Sequence, residues 1–421
     1  MKNHYLSVFL LPLLFLASCG VGAPADKETK MAITVKNPSD FPRTDALVTL
    51  SARQLQEKYP GLALANIKLA AGAPIPFQAN DLNRDGAADE LAFVMDLGAN
   101  EEKAVVIEAL KEGEAPPVFK KRTQAELSYK EGGHWEGKEY QGGTFKNTSY
   151  LRVPPEHTDH SWFIRYEGPG WESDKVGYRF YLDWRNATDI FGKKTTEMVL
   201  QDVGQDGFDS YHEPSEWGMD ILKVGKSLGI GALGFWTGEK ALRVESTDSV
   251  VCSIPVNGPV ESMVKTTYYG WNTGKQKVDA TSLLSIHAGS RLTRHDLSLS
   301  APLPNLCTGI VKLEGTALLQ DEGQDGWGFL ATWGPQSLDG SQLGMAILYP
   351  KSQLIQLAED EHNHVAVLRP DGGTTLSYYF LAAWEQEPGG IKTEEAFRSY
   401  LVQTIKALNT PVEASLGPLP E

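Results

Sequence analysis

The residues most able to do chemistry crowd into one stretch, HTDHSWFIRYEGPGWESDKVGYRFYLDWRNATDIFGK, from His157 to Lys193. Its second half alternates. Val176, Tyr178, Phe180, Leu182 and Trp184 fall on one side of an extended chain, and Arg179, Tyr181, Asp183 and Arg185 on the other. Strand side chains alternate with period two, so the first set is predicted to pack inward and the polar row to share one face. Just upstream lie His157, His160, Trp162, Arg165 and Tyr166, and the turn EGPGWE carries Trp171. Downstream come His212, Trp217, Asp220, Lys223 and Lys226. Lys265, Thr267, Tyr269 and Trp271 alternate in MVKTTYYGW, and Arg291, Thr293 and His295 in SRLTRHDL, which predicts two further faces of the same mixed kind. Together these groups suggest a polar, aromatic binding face on a β scaffold. The competing reading is a solvated sheet face with ordinary salt bridges.

The same inventory suits an elimination reaction beside a carboxylate. The C5 proton of a uronic acid is poorly acidic until the neighbouring carboxylate is neutralised. A base must then remove it while an acid protonates the oxygen leaving C4. Arg165, Arg179 and Arg185 could neutralise the carboxylate, His160 or His212 could serve as base, and Tyr269 or Lys223 as acid. Tyr166, Trp171, Trp217, Trp271 and His295 would complete the sugar-contacting set, and no cofactor is required. A glycosidase would instead need paired carboxylates. Glu167, Glu172, Asp183, Asp220 and Asp325 are available, but acids lie on turns throughout the chain and no spacing singles out a pair. A lipid-anchored glycan-capture protein without catalysis, or a structural envelope lipoprotein, are the non-enzymatic alternatives.

The elements that must position these groups read as strands almost throughout. Residues 31–127 hold short apolar runs separated by turn residues (ITVKN, ALVTLS, IPFQAND, ELAFVMDLG, AVVIEAL), which predicts a small β-sandwich. Residues 128–421 are predicted to form a much larger antiparallel sandwich carrying the site. The polar, glycine-rich segment from Thr123 to Thr148 reads as a connector or a mobile loop with His134 and Trp135 at its tip. One helix is predicted near the end: Thr393 caps it, Glu394 and Glu395 sit in its first turn, and Phe397, Leu401, Ile405 and Leu408 share a face. The expected class is therefore all-β, a small sandwich followed by a large one.

The chain opens MKNHYLSVFLLPLLFLASCG, a short apolar run with a small-residue end, which marks residues 1–19 as a secretory signal. Leu16-Ala17-Ser18-Cys19 matches the bacterial lipobox, so Cys19 is expected to be lipidated and residues 20–30 to act as a tether from the cell-envelope membrane. A formal charge of −15 argues against nucleic acid, and GKSLGIG lacks the spacing of a phosphate loop, which argues against nucleotide. Cys252 and Cys307 could pair or stay as buried thiols. Asp81, Asn83, Asp85 and Asp89 alternate around a turn glycine, as a structural Ca²⁺ loop or a self-capped turn would require. The ten tryptophans suit stacking on sugars or a large β core.

Three long blocks, EGPGWESDKVGYRFYLDWRNATDIFGK, WGMDILKVGKSLGIGALG and DGWGFLATWGPQSLDGSQLGMAILY, resemble the family catalogued as domain of unknown function 4861. These proteins abound in polysaccharide-utilisation loci of Bacteroidota. The resemblance implies a galactose-mutarotase-like supersandwich and a role in carbohydrate breakdown. It extends to a dehydratase of ulvan degradation that removes water from a terminal uronic acid, which implies an anionic oligosaccharide as partner. It assigns no catalytic residue.

Overall fold

The period-two pattern becomes antiparallel sheet throughout the computed structural model, which describes Met1, residues 31–321 and residues 326–418. The expected signal, tether and lipidation site Cys19 lie outside these residues, as does Asp325. The class is all-β, as the patterning predicts.

The small sandwich opposes two sheets. One runs in the order Glu413–Pro418, Met31–Lys36, Glu102–Ala109, Ile67–Ala71 and Ala73–Pro74; the other is Arg43–Ser51, Glu90–Leu97 and Phe77–Asn80. Ile33, Val35, Val48, Leu50, Phe93 and Ile107 fill the space between them. The last strand returns from the far end of the chain to pair Leu416 with Ile33, and the Tyr59 hydroxyl donates to the Gly417 carbonyl at 2.7 Å. A helix the patterning does not show, Ala52–Lys58, is started by a capping box of Ser51 and Gln54. It spans only two turns, too few for a periodic signal.

In the large supersandwich, one layer is a nine-stranded sheet. Its order is Tyr150–Arg152, Ser249–Asn257, Glu261–Asn272, Lys277–His287, Leu292–Leu299, Thr375–Trp384, Leu343–Pro350, Trp327–Gly334 and Ala317–Gln320. The facing layer joins two five-stranded sheets, one of them built from Thr123–Glu126, Gly170–Ser173, Val176–Phe180, Thr188–Lys193 and Gly218–Asp220. Residues Gly229 and Ile230 bridge Thr188 of that sheet to Ile310 of its neighbour, so the layer is continuous. The terminal helix, Glu394–Asn409, is capped by Thr393 Oγ1 and seats Phe397, Leu401 and Ile405 on the outer face of the nine-stranded sheet. A side chain at Gly344 would meet the Phe397 ring at 2.6 Å, so the glycine lets the helix approach.

Some expectations change with the layers in place. The alternating strand ends at Phe180, and Asn186, at φ 42°, closes a turn onto the Asp183 carbonyl. Trp184 therefore leaves the inward row and is 47% exposed, with the Arg243 guanidinium 5.1 Å from its ring. The segment read as a mobile loop is a hairpin, Ser128–Glu136 with Glu139–Asn147, because Trp135 packs on Tyr140 and Phe163. Cys252 and Cys307 are both free and buried, in strands of opposite layers. In the expected calcium loop, Asp81 accepts the backbone N–H groups of Arg84 and Gly86, and Asp89 that of Leu82. Asn83 donates to Asp85 at 3.1 Å, so these oxygens cap their own turn. From this turn Arg84 reaches the carbonyls of Ser149 and Ile254 and ties the small sandwich to the large one.

Glu261 lies buried at that junction. Gln78 accepts its backbone N–H at 3.0 Å, and Asn80 donates to its carboxylate at 3.2 Å. Burial, reinforced by Glu90, pushes the Glu261 carboxyl up to about 8. A folded-state value above the unfolded one favours the protonated native form, so this contribution is complete at low pH and fades as pH rises through about 8. Thermal unfolding across that window should show wild-type stability falling with pH, and Glu261→Gln should remove part of the fall; an identical slope in the variant counts against this assignment.

Candidate active site

Arg179 stands at the centre of the predicted polar face, but the face is buried rather than solvated. Its Nη2 donates to Asp189 at 2.8 Å and to Asp220 at 2.5 Å, its Nη1 donates to the Tyr211 hydroxyl at 2.9 Å, and Glu167 lies 3.6 Å away. Tyr181 donates to Asp189 at 2.6 Å. One turn and two strands deliver these partners. The turn Arg165–Glu167 brings Glu167, the strand Thr188–Lys193 brings Asp189, and the strand Gly218–Asp220 brings Asp220 beside it. Arg185 extends the row, its guanidinium 4.0 Å over the Tyr181 ring and 2.7 Å from both Glu167 and Asp159.

The carboxylates here outnumber the guanidiniums, and titration follows from that. Burial, and then the neighbouring Asp220 carboxylate, hold the Asp189 carboxyl above its usual range despite Arg179. Burial would raise Glu167 too, but Arg179 and Arg185 outweigh it and keep its carboxyl below the ordinary range.

Two histidines reach solvent from this network, one at each end. His160 Nδ1 lies 2.6 Å from Asp159, so Nδ1 donates to that carboxylate and Nε2 is the ring nitrogen turned outward. His212 is held the other way. Its Nδ1 donates to the Phe208 carbonyl at 2.7 Å, so Nε2 faces Asp220 at 3.4 Å. A lone pair aimed at a carboxylate is repelled, so the hydrogen bond to Asp220 raises the His212 pKa. Phe208 links the two histidines, its ring 5.0 Å from that of His160 and its carbonyl bonded to His212. The mouth thus carries two imidazoles of opposite orientation, His160 with Nδ1 toward Asp159 and His212 with Nε2 toward Asp220. Asp159, His160 and Glu167 also offer ligand atoms within 4.8 Å of one another, a spacing a cation could bridge, although Arg185 already occupies that position. His160, Trp162, Tyr166 and Glu167 hold φ values of 57°, 52°, 38° and 69°, left-handed backbone that non-glycine residues adopt mainly where packing forces it.

The structure brings together His160, Arg179, Arg185 and His212, and it moves several other expected site residues elsewhere. Arg165 is wholly buried against Glu126 and the Gln201 carbonyl, and Tyr166 packs beneath the network on Phe191. Trp217 is half-buried, edge-on to Phe191. Trp171, expected on the sugar, lies in the interlayer core, stacked on Tyr178 with its indole N–H on Thr293. Trp271 is also core, because a β-bulge between Tyr268 and Trp271 shifts it off the outward face of Lys265, Thr267 and Tyr269. His295 alternates as predicted, but its face is the inner one. It bonds Ser282 at 2.7 Å, and burial pushes its pKa down to about 4, so it is a neutral core group. Tyr269 lies on the outside of the nine-stranded layer, and Lys223 is exposed on a loop. Among the described residues neither makes a polar contact with the cluster. Glu172, a candidate glycosidase acid, is buried against Lys193 at 2.5 Å. Residue type and facing do not reveal Asp159, Asp189 and Tyr211, although the adjacent pairs Asp159-His160 and Tyr211-His212 are visible in the sequence, whereas Tyr181 already stands on the predicted polar row.

Removing Arg179 would leave Asp189 and Asp220 buried without their counter-ion. Arg179→Met should destabilise the fold by about 3–5 kcal/mol in urea unfolding near neutral pH. The loss should shrink as the medium is acidified through the raised Asp189 range; a pH-independent loss argues against shared carboxylates as the cause.

With this geometry in view, comparison with known proteins is informative at one level. The family model described as "Domain of unknown function (DUF4861)" matches residues 35–414. The "Uncharacterized protein P7" of Formosa agariphila is 23% identical over 448 aligned residues, covering 99% of this chain and 100% of that protein. Among solved structures, a protein in the glycosyl hydrolase family 38 from Enterococcus faecalis aligns with TM-score 0.43 at 10% identity over 94% of this chain and 48% of its own. An alpha-mannosidase from Enterococcus faecalis V583 aligns with TM-score 0.38 at 11% identity over 94% and 46%. The chain spans about half the length of these two, and at such distances neither carries a residue or a reaction across. The sequence match is decisive: the protein belongs to the DUF4861 family.

Proposed function

We propose that the protein is a carbohydrate-active lyase that eliminates water, or a sugar, across C4–C5 of a non-reducing-end uronic acid in polysaccharide-derived oligosaccharides. The observation that supports this reading is a pair of oppositely oriented histidines at one mouth. His160 turns Nδ1 to Asp159 and Nε2 outward, and His212 turns Nε2 to Asp220, whose hydrogen bond raises its pKa. In the forward step His160 Nε2 takes the C5 proton, and the electron pair released forms the C4–C5 double bond. The C4–O bond breaks, and His212 gives its proton to the departing oxygen, so water or an alcohol leaves. The glycosidase alternative is less well supported, because the buried carboxylates of the site are spent on Arg179 and Arg185.

The reading also places the enzyme on a bacterial envelope membrane through acyl chains on Cys19, where large glycans are first met. Cys19→Ala should move the protein from the membrane to the soluble fraction; continued membrane fractionation contradicts the anchor.

Two measurements test the catalytic reading. A uronic-acid oligosaccharide panel should yield the ultraviolet absorbance of a double bond conjugated to the carboxylate. His160→Ala and His212→Ala should each lose it by about a hundredfold or more. Because Asp220 raises the His212 pKa, Asp220→Asn should shift the alkaline limb of the pH–rate profile to lower pH. A flat absorbance trace alongside tight binding of one glycan would favour the capture-protein alternative.

A further inference from the structure

An enzyme acting beside a sugar carboxylate needs a cation that is free to meet it, and the expected arginines are not free. Arg165 is paired with Glu126, Arg179 with Asp189 and Asp220, and Arg185 with Asp159, Asp183 and Glu167. Each is taken by an internal carboxylate.

One cation on the same wall is uncommitted. Lys130, on the hairpin strand Ser128–Glu136, is 6% exposed. Its ammonium stands 3.2 Å from the centre of the Trp162 ring and 5.4 Å from that of Phe145. Among the described residues none gives that ammonium a carboxylate or a hydrogen-bond acceptor. Lysine is almost never buried without a partner, and aromatic faces replace only part of what water supplies. Burial accordingly draws its pKa downward.

The position connects it to the site. The Trp162 ring lies 6.2 Å from Phe208, whose ring touches His160 and whose carbonyl holds His212. Lys130, Trp162 and Phe208 therefore form one continuous wall leading to the two histidines. Trp162, like His160, is held at positive φ, so the segment beneath the hairpin is fixed in a costly conformation.

We infer that Lys130 is the seat for an anionic oxygen group of the glycan, a carboxylate or a sulfate ester, with a sugar ring lying against Trp162 and Phe208. This deepens the proposed function and rests on its placing of a glycan at the His160–His212 mouth. An incoming anion would supply the partner that the fold withholds, in a setting where a charged hydrogen bond is strong.

Equilibrium binding of three matched probes tests this: a uronate-terminated disaccharide, its carboxyl-reduced form, and its sulfate ester. The wild type should bind at least one anionic form about tenfold or more tighter than the reduced form. Lys130→Met should bring the ratio near one and Lys130→Arg should retain part of it. Lys130→Gln serves if the Met variant fails to fold. The uronate and sulfate arms tell which anion is recognised. Equal binding of neutral and anionic forms by the wild type, or a preference that survives Lys130→Met, overturns the inference. A Lys130-dependent preference without any absorbance from a new double bond would sink the elimination reading and leave Lys130 as an anion seat. Elimination indifferent to Lys130 would do the reverse.

Discussion

A guanidinium shared among three carboxylates is the constraint on which the site depends. Arg179 is buried, and it is tolerable there because Asp189, Asp220 and Glu167 surround it and Tyr181 and Tyr211 take up remaining bonds. Breaking such a cluster by removing one member strands charge in a low dielectric, so its members are locked to each other's positions. Asp220 and Glu167 reach outward from that lock to His212 and His160. The histidines are exposed, yet their orientation is inherited from a buried network, which is how a site at a protein surface acquires fixed geometry.

The two layers explain why the network can be buried. A central strand in a sheet covered on both faces has no solvated side, and Val176–Phe180 is buried at every position. Tyr178 and Trp171 serve the interlayer core, while Arg179 meets the covering chain through the Tyr211 hydroxyl. That second cover is made of irregular chain, where the glycines near 204 and 207 allow close turns. The polar face is therefore an interior surface beneath loops, and His160, His212 and, in part, Asp159 and Phe208 reach solvent at its edge.

Much of the fold was legible because period two is a strong local signal. The terminal helix declared itself through Thr393 and its apolar stripe, and the Arg179–Arg185 row was visible as one face. What alternation does not disclose is whether a face is covered. His295 and Arg179 were both placed on polar faces, and both proved internal, since long-range layers rather than local pattern decide exposure. Trp271 was lost to a bulge at Gly270, which shifts the side chains beyond it onto other faces without disturbing the sequence pattern that suggested the strand. Asp189 was invisible for a different reason: its importance comes only from Arg179 and Asp220 meeting it across strands.

Carboxylates fix the two mouth histidines in opposite orientations, His160 with Nδ1 toward Asp159 and His212 with Nε2 toward Asp220. Long-range proton–nitrogen NMR correlations of the imidazole nitrogens measure this directly. His160 should carry a proton on Nδ1, where Asp159 accepts it, and His212 should remain an imidazolium into a pH range above the ordinary histidine one, because Asp220 raises its pKa. A His160 protonated on Nε2 alone, or a His212 that is neutral below that range, would contradict it.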